Sequence, residues 1–242
     1  MRTVLLLGGT GEARRLAQEL LAHVRVVSSL AGRVREPRLP VGAVRIGGFG
    51  GVSGLREWLL GNQVDAVVDA THPFAAVMTA SAAQVTAELG IPFVVLRRPG
   101  WASGPGDDWR WVGSVAEAAQ ALPEERVFLT TGREELHAFA HLDGHWFLAR
   151  SVEPPEGAVP KRLRVVLDRG PFTRTGELDL MTQHDIQVLV TKDSGGQMTA
   201  AKLAAARELG LPVVVVRRPP LPDVPTVQAV GDVLSWLGIA VG

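Results

Sequence analysis

The chain has 242 residues, 25 Lys and Arg against 25 Asp and Glu, and no cysteine. That length suits one large domain or two small ones. Zero net charge removes bulk attraction to nucleic acid, and the missing thiols exclude disulfides, thiolate metal sites and a cysteine nucleophile. No apolar run approaches the ~20 residues that cross a bilayer, and the opening MRTVLLLGG is too short for a secretory leader. The expectation is a folded, cytoplasmic protein with no membrane or nucleic-acid partner.

In chain order, short apolar runs alternate with helix-period segments. Thr3–Leu7 is a predicted strand, and residues 11–22 a helix. Strands follow over 24–27 and Ala43–Ile46, then a helix over 55–60. A strand at Ala66–Asp69, a helix over Ala76–Leu89 and a strand at Phe93–Leu96 complete a first lobe, residues 1–101. Continuous Val/Leu/Ile runs suit parallel strands buried on both faces, and the β-α alternation suits a doubly wound sheet. Residues 102–123 read as a connecting loop, strand and helix, and 124–242 as a second lobe.

The second lobe repeats the first. A shift of 120 residues lays 65–99 on 185–219 without a gap, with 15 of 35 positions identical, where roughly three are expected by chance. The tail at 226–237 resembles 111–122, a short strand and then a helix. The fold class is therefore α/β: two similar Rossmann-like lobes with parallel sheets, related by internal duplication, with a ligand cleft between them. Which lobe each tail pairs with is left open by the pattern.

Ligands of open α/β sheets bind beyond the carboxyl ends of the strands. In the first lobe those ends are bare. Gly8-Gly9-Thr10-Gly11-Glu12-Ala13 follows strand one and opens a helix, a turn that brings backbone N–H groups to a phosphate. Read as Gly9-Thr10-Gly11, the dinucleotide fingerprint places Arg14 in the third glycine slot, and the same turn suits a purely structural connection. Ser28, Ser29 and Arg33 follow strand two, where an NAD site usually carries an acid; their pattern suits the 2′-phosphate of NADPH. Gly47, Gly48, Phe49, Gly50 and Gly51 follow strand three.

The second lobe ends its strands in cations: Arg133, Arg150, Arg169 and Lys192. Together they form either a surface for a polycarboxylate or four ordinary solvated charges. Lys192 leads into Asp193-Ser194-Gly195-Gly196, a second candidate anion loop, with Asp193 a proton donor if buried or else a helix cap. In the first lobe, Thr71 and His72 after strand four are candidates to orient a nicotinamide or substrate, with His72 able to give a proton; a structural turn is the other reading. One Arg of each Arg-Arg-Pro at 97–99 and 217–219 is expected to face the cleft. His137, His141 and His145 lie four apart, but Asp143-Gly144 ends any helix before the third, so no metal site is expected.

As a set, LLLGGTGEARRLA, SLAGR, RIGGFGG, DATHPFA, LRRPGW, VFLTTGR, RGPF and KDSGG resemble the precorrin-6A reductases of cobalamin biosynthesis and their cobalt-precorrin-6A counterparts, over nearly the whole chain. The resemblance implies hydride transfer from NADPH to one macrocycle double bond of precorrin-6A, giving precorrin-6B. It implies NADPH on Gly8 to Ala13, Ser28, Ser29, Arg33 and Gly47 to Gly51. It also implies tetrapyrrole carboxylates near Arg133, Arg150, Arg169, Lys192, Ser194 and Gly195, with Thr71 and His72 near the reacting bond. A reductase of a small cyclic imine and a binding-only NADP(H) sensor are the alternatives; the first needs fewer cations, and the second no second ligand.

Overall fold

A computed structural model of the chain describes residues 1–32, 35–123 and 125–240. The chain divides into two units: residues 1–99 with 219–242, and residues 100–218.

The first unit contains β1 (Thr3–Leu7), α1 (Gly11–Leu20), β2 (Arg25–Leu30), β3 (Ala43–Ile46), α2 (Gly51–Gly61), β4 (Ala66–Asp69), α3 (Ala76–Leu89) and β5 (Phe93–Leu96). The second contains β6 (Trp109–Val112), α4 (Val115–Gln120), β7 (Arg126–Leu129), β8 (Trp146–Ser151), β9 (Leu163–Leu167), α5 (Arg174–Gln183), β10 (Val188–Lys192), α6 (Ala201–Glu208) and β11 (Val213–Val216), with 3₁₀ turns at Arg133–Phe139 and Gln197–Thr199. The chain then returns to the first unit as β12 (Thr226–Val227) and α7 (Val230–Trp236).

Each unit is built on a six-stranded sheet, β12-β5-β4-β1-β2-β3 in the first and β6-β11-β10-β7-β8-β9 in the second. Every strand pairing is parallel. Five successive positions of the two orders, β5-β4-β1-β2-β3 and β11-β10-β7-β8-β9, correspond, as the repeat requires. The sixth strand of each does not come from its own half. The strand after β5 in the chain, β6, pairs with β11, and β12 pairs with β5. Residues 102–123 are thus part of the second unit, not a connector, and the tail of the expected 124–242 lobe closes the first sheet. Periodicity marks these segments as a strand and helix; their partners are set by non-local packing, which a local pattern does not carry.

The alternation of β1 builds two cores at once. Val4 and Leu6 face α1 and α7, against Leu16, Ala17, Leu20, Val233 and Leu234. Leu5 and Leu7 face α2 and α3, against Leu55, Leu59, Ala82 and Val85. In the second unit Phe128 and Leu148 pack with Met181 and Leu203 under α5 and α6. Among the described residues no helix is long and apolar enough to cross a membrane.

Candidate functional site

In the first unit the turn after β1 is fixed by one residue. Thr10 caps α1: its hydroxyl accepts from the Ala13 amide (3.1 Å) and donates to the Ala70 carbonyl beyond β4 (2.7 Å). Gly8 hydrogen-bonds to the Ser29 carbonyl (2.9 Å), and a Cβ on it would lie 3.5 Å from the Ala13 methyl. Ala13, not Arg14, therefore performs the helix-to-strand packing of the third fingerprint glycine; the motif is Gly8-x-Thr10-x-x-Ala13, one residue earlier than read from the sequence. Gly9 has φ +112°, a left-handed backbone that favours glycine. Glu12, in the first turn of α1, is held by Arg98 at 2.8 Å.

Ser28 and Ser29 are not in a loop after the strand, as expected, because β2 runs on to Leu30. Both are buried, and the Ser28 hydroxyl has no partner. Ser29 accepts a hydrogen bond from Arg45 (2.7 Å), a residue the sequence reading passed over. Arg45 also donates to the carbonyls of Gly47 and Gly48 (both 2.9 Å) and stacks 3.8 Å above the Phe49 ring. It ties the ends of β2 and β3 together and shapes the glycine turn; burial lowers its pKa from the ordinary value. The only signal for it was an arginine next to last in a strand. Arg33 lies outside the described residues.

A dinucleotide needs uncrowded backbone at such a rim. Added Cβ atoms on Gly9, Gly47, Gly48, Gly50 and Gly51 would meet nothing within 4 Å, so the expected cradle fits.

After β4, buried Asp69 organises the next turn. One carboxylate oxygen accepts from the Thr71 amide (2.9 Å) and hydroxyl (2.7 Å), the other from the Thr79 hydroxyl (2.6 Å). His72 is exposed and its Nδ1 accepts from the Phe74 amide at 3.3 Å, which assigns the ring proton to Nε2.

The second unit departs further from expectation. Arg150 shares a face of β8 with Leu148, the face under α5 and α6, so its side chain turns beneath the sheet end. It pairs with Glu177 at 2.7 Å, with side chains 7% and 1% exposed, and lies 3.5 Å from the Phe172 ring centroid. It is not displayed with the other cations. Lys202, in the first turn of α6, is buried beside this pair, 5.3 Å from the Trp101 ring centroid. Burial first, and then the Arg150 charge, lowers its pKa to about 7, against the pull of Glu177.

Asp193 is buried, but it caps no helix. Its carboxylate accepts from the Trp101 amide (2.9 Å) and pairs with Arg218 (3.1 Å), so it is engaged within its own unit. A Cβ on Gly100 would come within 2.6 Å of it. Ser194 turns back onto the Lys192 carbonyl through its amide (2.7 Å), and Gly195 has φ +68°. That loop leads to the second 3₁₀ turn before α6, so no α-helix opens on it directly.

Lys192, Arg133 and Arg169 do lie at or just past strand ends. Lys192 pairs with Glu135 at 2.6 Å, and Arg133 with Glu153 at 3.1 Å and Glu156 at 3.7 Å. Arg169 is half-buried two residues beyond β9. Of the Arg-Arg-Pro residues, Arg97 donates to the Pro219 carbonyl (3.1 Å) and Arg217 lies 5.0 Å from the Trp111 ring centroid. His137 and His141 do not share an α-helical face, since the helix there is 3₁₀ and ends at Phe139. His145 is buried, stacked on Phe147.

Comparison with known proteins finds relatives along the whole chain. The family described as precorrin-6x reductase CbiJ/CobK matches residues 3–238. The chain is 54% identical to the precorrin-6A reductases of Rhodococcus erythropolis and of Mycobacterium tuberculosis, each over 98% of both chains. It is 28% identical to the cobalt-precorrin-6A reductase of Priestia megaterium, over 89% of this chain and 90% of that one. A solved structure titled CobK precorrin-6A reductase superposes with a TM-score of 0.93 at 42% identity, covering 98% of this chain and 96% of that one.

Proposed function

The chain belongs to the precorrin-6x reductase family, and from that premise we propose that it reduces one double bond of the precorrin-6A macrocycle with NADPH, giving precorrin-6B. It is an oxidoreductase of cobalamin biosynthesis, which sets the binding-only alternative aside. The contrast between strand ends carries the finer reading: open glycine backbone in the first unit, and carboxylate-seeking side chains in the second.

NADPH, when bound, supplies a hydride. Its diphosphate belongs with the turn from Gly8 to Ala13 at the N-terminus of α1, and Gly47 to Gly51 give uncrowded backbone beside it. The end of β2, continuing into Ala31 and Gly32, has no acid to hold a ribose 2′-hydroxyl, which supports NADPH over NADH. Arg45 keeps the glycine turn in shape.

The reduction also takes up one proton. His72 gives it from Nε2 as the imidazolium, so Nδ1 must first release the Phe74 amide and take up a proton of its own, and Asp69 holds the Thr71 turn that carries it. In the second unit Lys192, Arg133 and Arg169 take the substrate carboxylates, with Ser194 and Gly195 shaping the loop beside Lys192. Arg150 supports that surface from below. The protein contributes position and orientation, and a covalent intermediate is not required.

The test is an anaerobic mixture of protein, NADPH and precorrin-6A. Loss of reduced-nicotinamide absorbance matched one-for-one by a two-hydrogen mass gain in the tetrapyrrole is expected. No turnover overturns the reading, and turnover with NADH alone overturns the cofactor assignment. The stronger identity with the precorrin-6A reductases supports a metal-free substrate; faster turnover of cobalt-precorrin-6A in the same assay overturns that choice.

A further inference from the structure

The sheet order of the second unit sets the carboxyl ends of β10, β7 and β8 side by side. Across them the charges alternate: Lys192 at the end of β10, Glu135 and Arg133 on the 3₁₀ turn after β7, and Glu153 after β8. The contacts follow the same order, Lys192 Nζ to Glu135 Oε1 at 2.6 Å and Arg133 Nη1 to Glu153 Oε2 at 3.1 Å. Lys192 and Arg133, two of the three cations assigned to substrate carboxylates, thus already hold carboxylates from the chain.

These pairs differ from the ion pair below them. Glu135 is 32% exposed and Glu153 15%, whereas Glu177 on Arg150 is 1% exposed. The first two have solvent to turn into when released; Glu177 has none. Pairs that keep contact with solvent exchange more readily than a fully buried one, whose breaking strands a charge, and these two, part-exposed on both sides, are of the first kind.

We propose that Glu135 and Glu153 are guard carboxylates, which occupy Lys192 and Arg133 until a polycarboxylate displaces both together and so exclude small anions from this surface. The inference rests on the assignment of substrate carboxylates to the second unit. A tethered carboxylate competes at high effective concentration, so a single carboxylate from solution displaces it poorly. A ligand that engages both cations gains the multivalent advantage, about 10²–10⁴ over either contact alone. Selectivity for a many-armed acid then comes from competition inside the protein, a device directed against the wrong ligand.

Calorimetric titration of the full chain with uroporphyrin I, an eight-carboxylate tetrapyrrole, and with citrate tests this. The near-isosteric E135Q and E153Q substitutions, checked for folding by thermal melt, are expected to bind citrate about tenfold more tightly, the scale of one charge-assisted contact freed from competition. Uroporphyrin affinity is expected to rise less, so that discrimination narrows. A purely positioning role for these glutamates predicts the opposite sign, and unchanged or weaker binding of both ligands overturns the proposal. R133A and K192A separate the two layers. If they weaken uroporphyrin binding while the Glu→Gln variants gain nothing, the guard role falls and the polycarboxylate surface stands. Wild-type uroporphyrin binding that is absent, or insensitive to R133A and K192A, overturns both.

Discussion

Lys202 is the residue whose chemistry is most altered by its surroundings. A lysine in an unfolded chain titrates near ~10.4, and burial brings this one to about 7. Between those values the unfolded chain binds more protons than the folded one, so stability rises with pH from about 7 to about 10. Below about 7 both forms are protonated and the full penalty of the buried charge is present. His184, its pKa lowered by burial and then by Arg164 and Arg126, adds a smaller rise of the same sign on the acid side. K202M is therefore expected to stabilise the protein at pH 7 by about 1–4 kcal/mol and to flatten the rise above it, read from urea unfolding at a series of pH values. A wild-type slope that survives the substitution would place its origin elsewhere. The same cluster shows where residue-level legibility ended. Arg150 was legible as a cation at a strand end, but its direction follows from strand alternation and from Glu177, 27 positions away. Asp193 was legible only as a proton donor if buried or else a helix cap; its partners, the Trp101 amide and Arg218, come from the two ends of the unit. Arg45 escaped notice because its partners are mainly backbone carbonyls, which leave no trace in side-chain spacing.

At the level of elements, the strands read most faithfully were those buried on both faces. β1, β4 and β5 fall where the apolar runs put them, as does the half-exposed edge strand β3, and α3 keeps its expected limits. β2 runs three residues further than its apolar stretch because Ser28 and Ser29 pair in register with Leu6 and Leu7; ladder hydrogen bonds recruit polar residues that hydrophobicity alone excludes. β12, only two residues long, is held by its place beside β5 and by α7. That helix buries Val230, Val233 and Leu234, with Leu237 just beyond it, against the α1 side of the first sheet. At about 1.5–3 kcal/mol for each buried side chain, four such residues amount to much of a domain's total stability. Ending the chain after Arg218 is therefore expected to unfold the first unit. Hydrogen exchange should show amides of β1 and β4 losing protection, and retained protection there would contradict the account.

Over the whole molecule, 25 positive and 25 negative residues cancel, and the duplicated halves differ chiefly in what they put at their strand ends. If the first unit serves the dinucleotide and the second the acid-bearing substrate, the two affinities should respond separately. R133A and K192A are expected to leave the NADPH dissociation constant within about threefold while weakening tetrapyrrole binding at least tenfold, a difference of ~1.4 kcal/mol or more. Saturating NADPH, at a hundredfold its dissociation constant, should raise stability by about 2.7 kcal/mol in wild type and both variants alike. Equal loss of the two affinities would contradict the division. The repeat made this plan legible, since comparing two copies separates shared scaffold from what each half adds.

The exchanged outer strands also order events in time. Residues 100–218 contain every strand of their own sheet, whereas the first sheet is completed by β12, and Arg2 hydrogen-bonds to the carbonyl of Leu237. During synthesis the amino-terminal half thus emerges first yet finishes later, its β5 edge and the apolar side of α1 uncovered until β12 and α7 have been made. The length of that interval is set by residues 100–218, which are inserted between the two parts of the first unit.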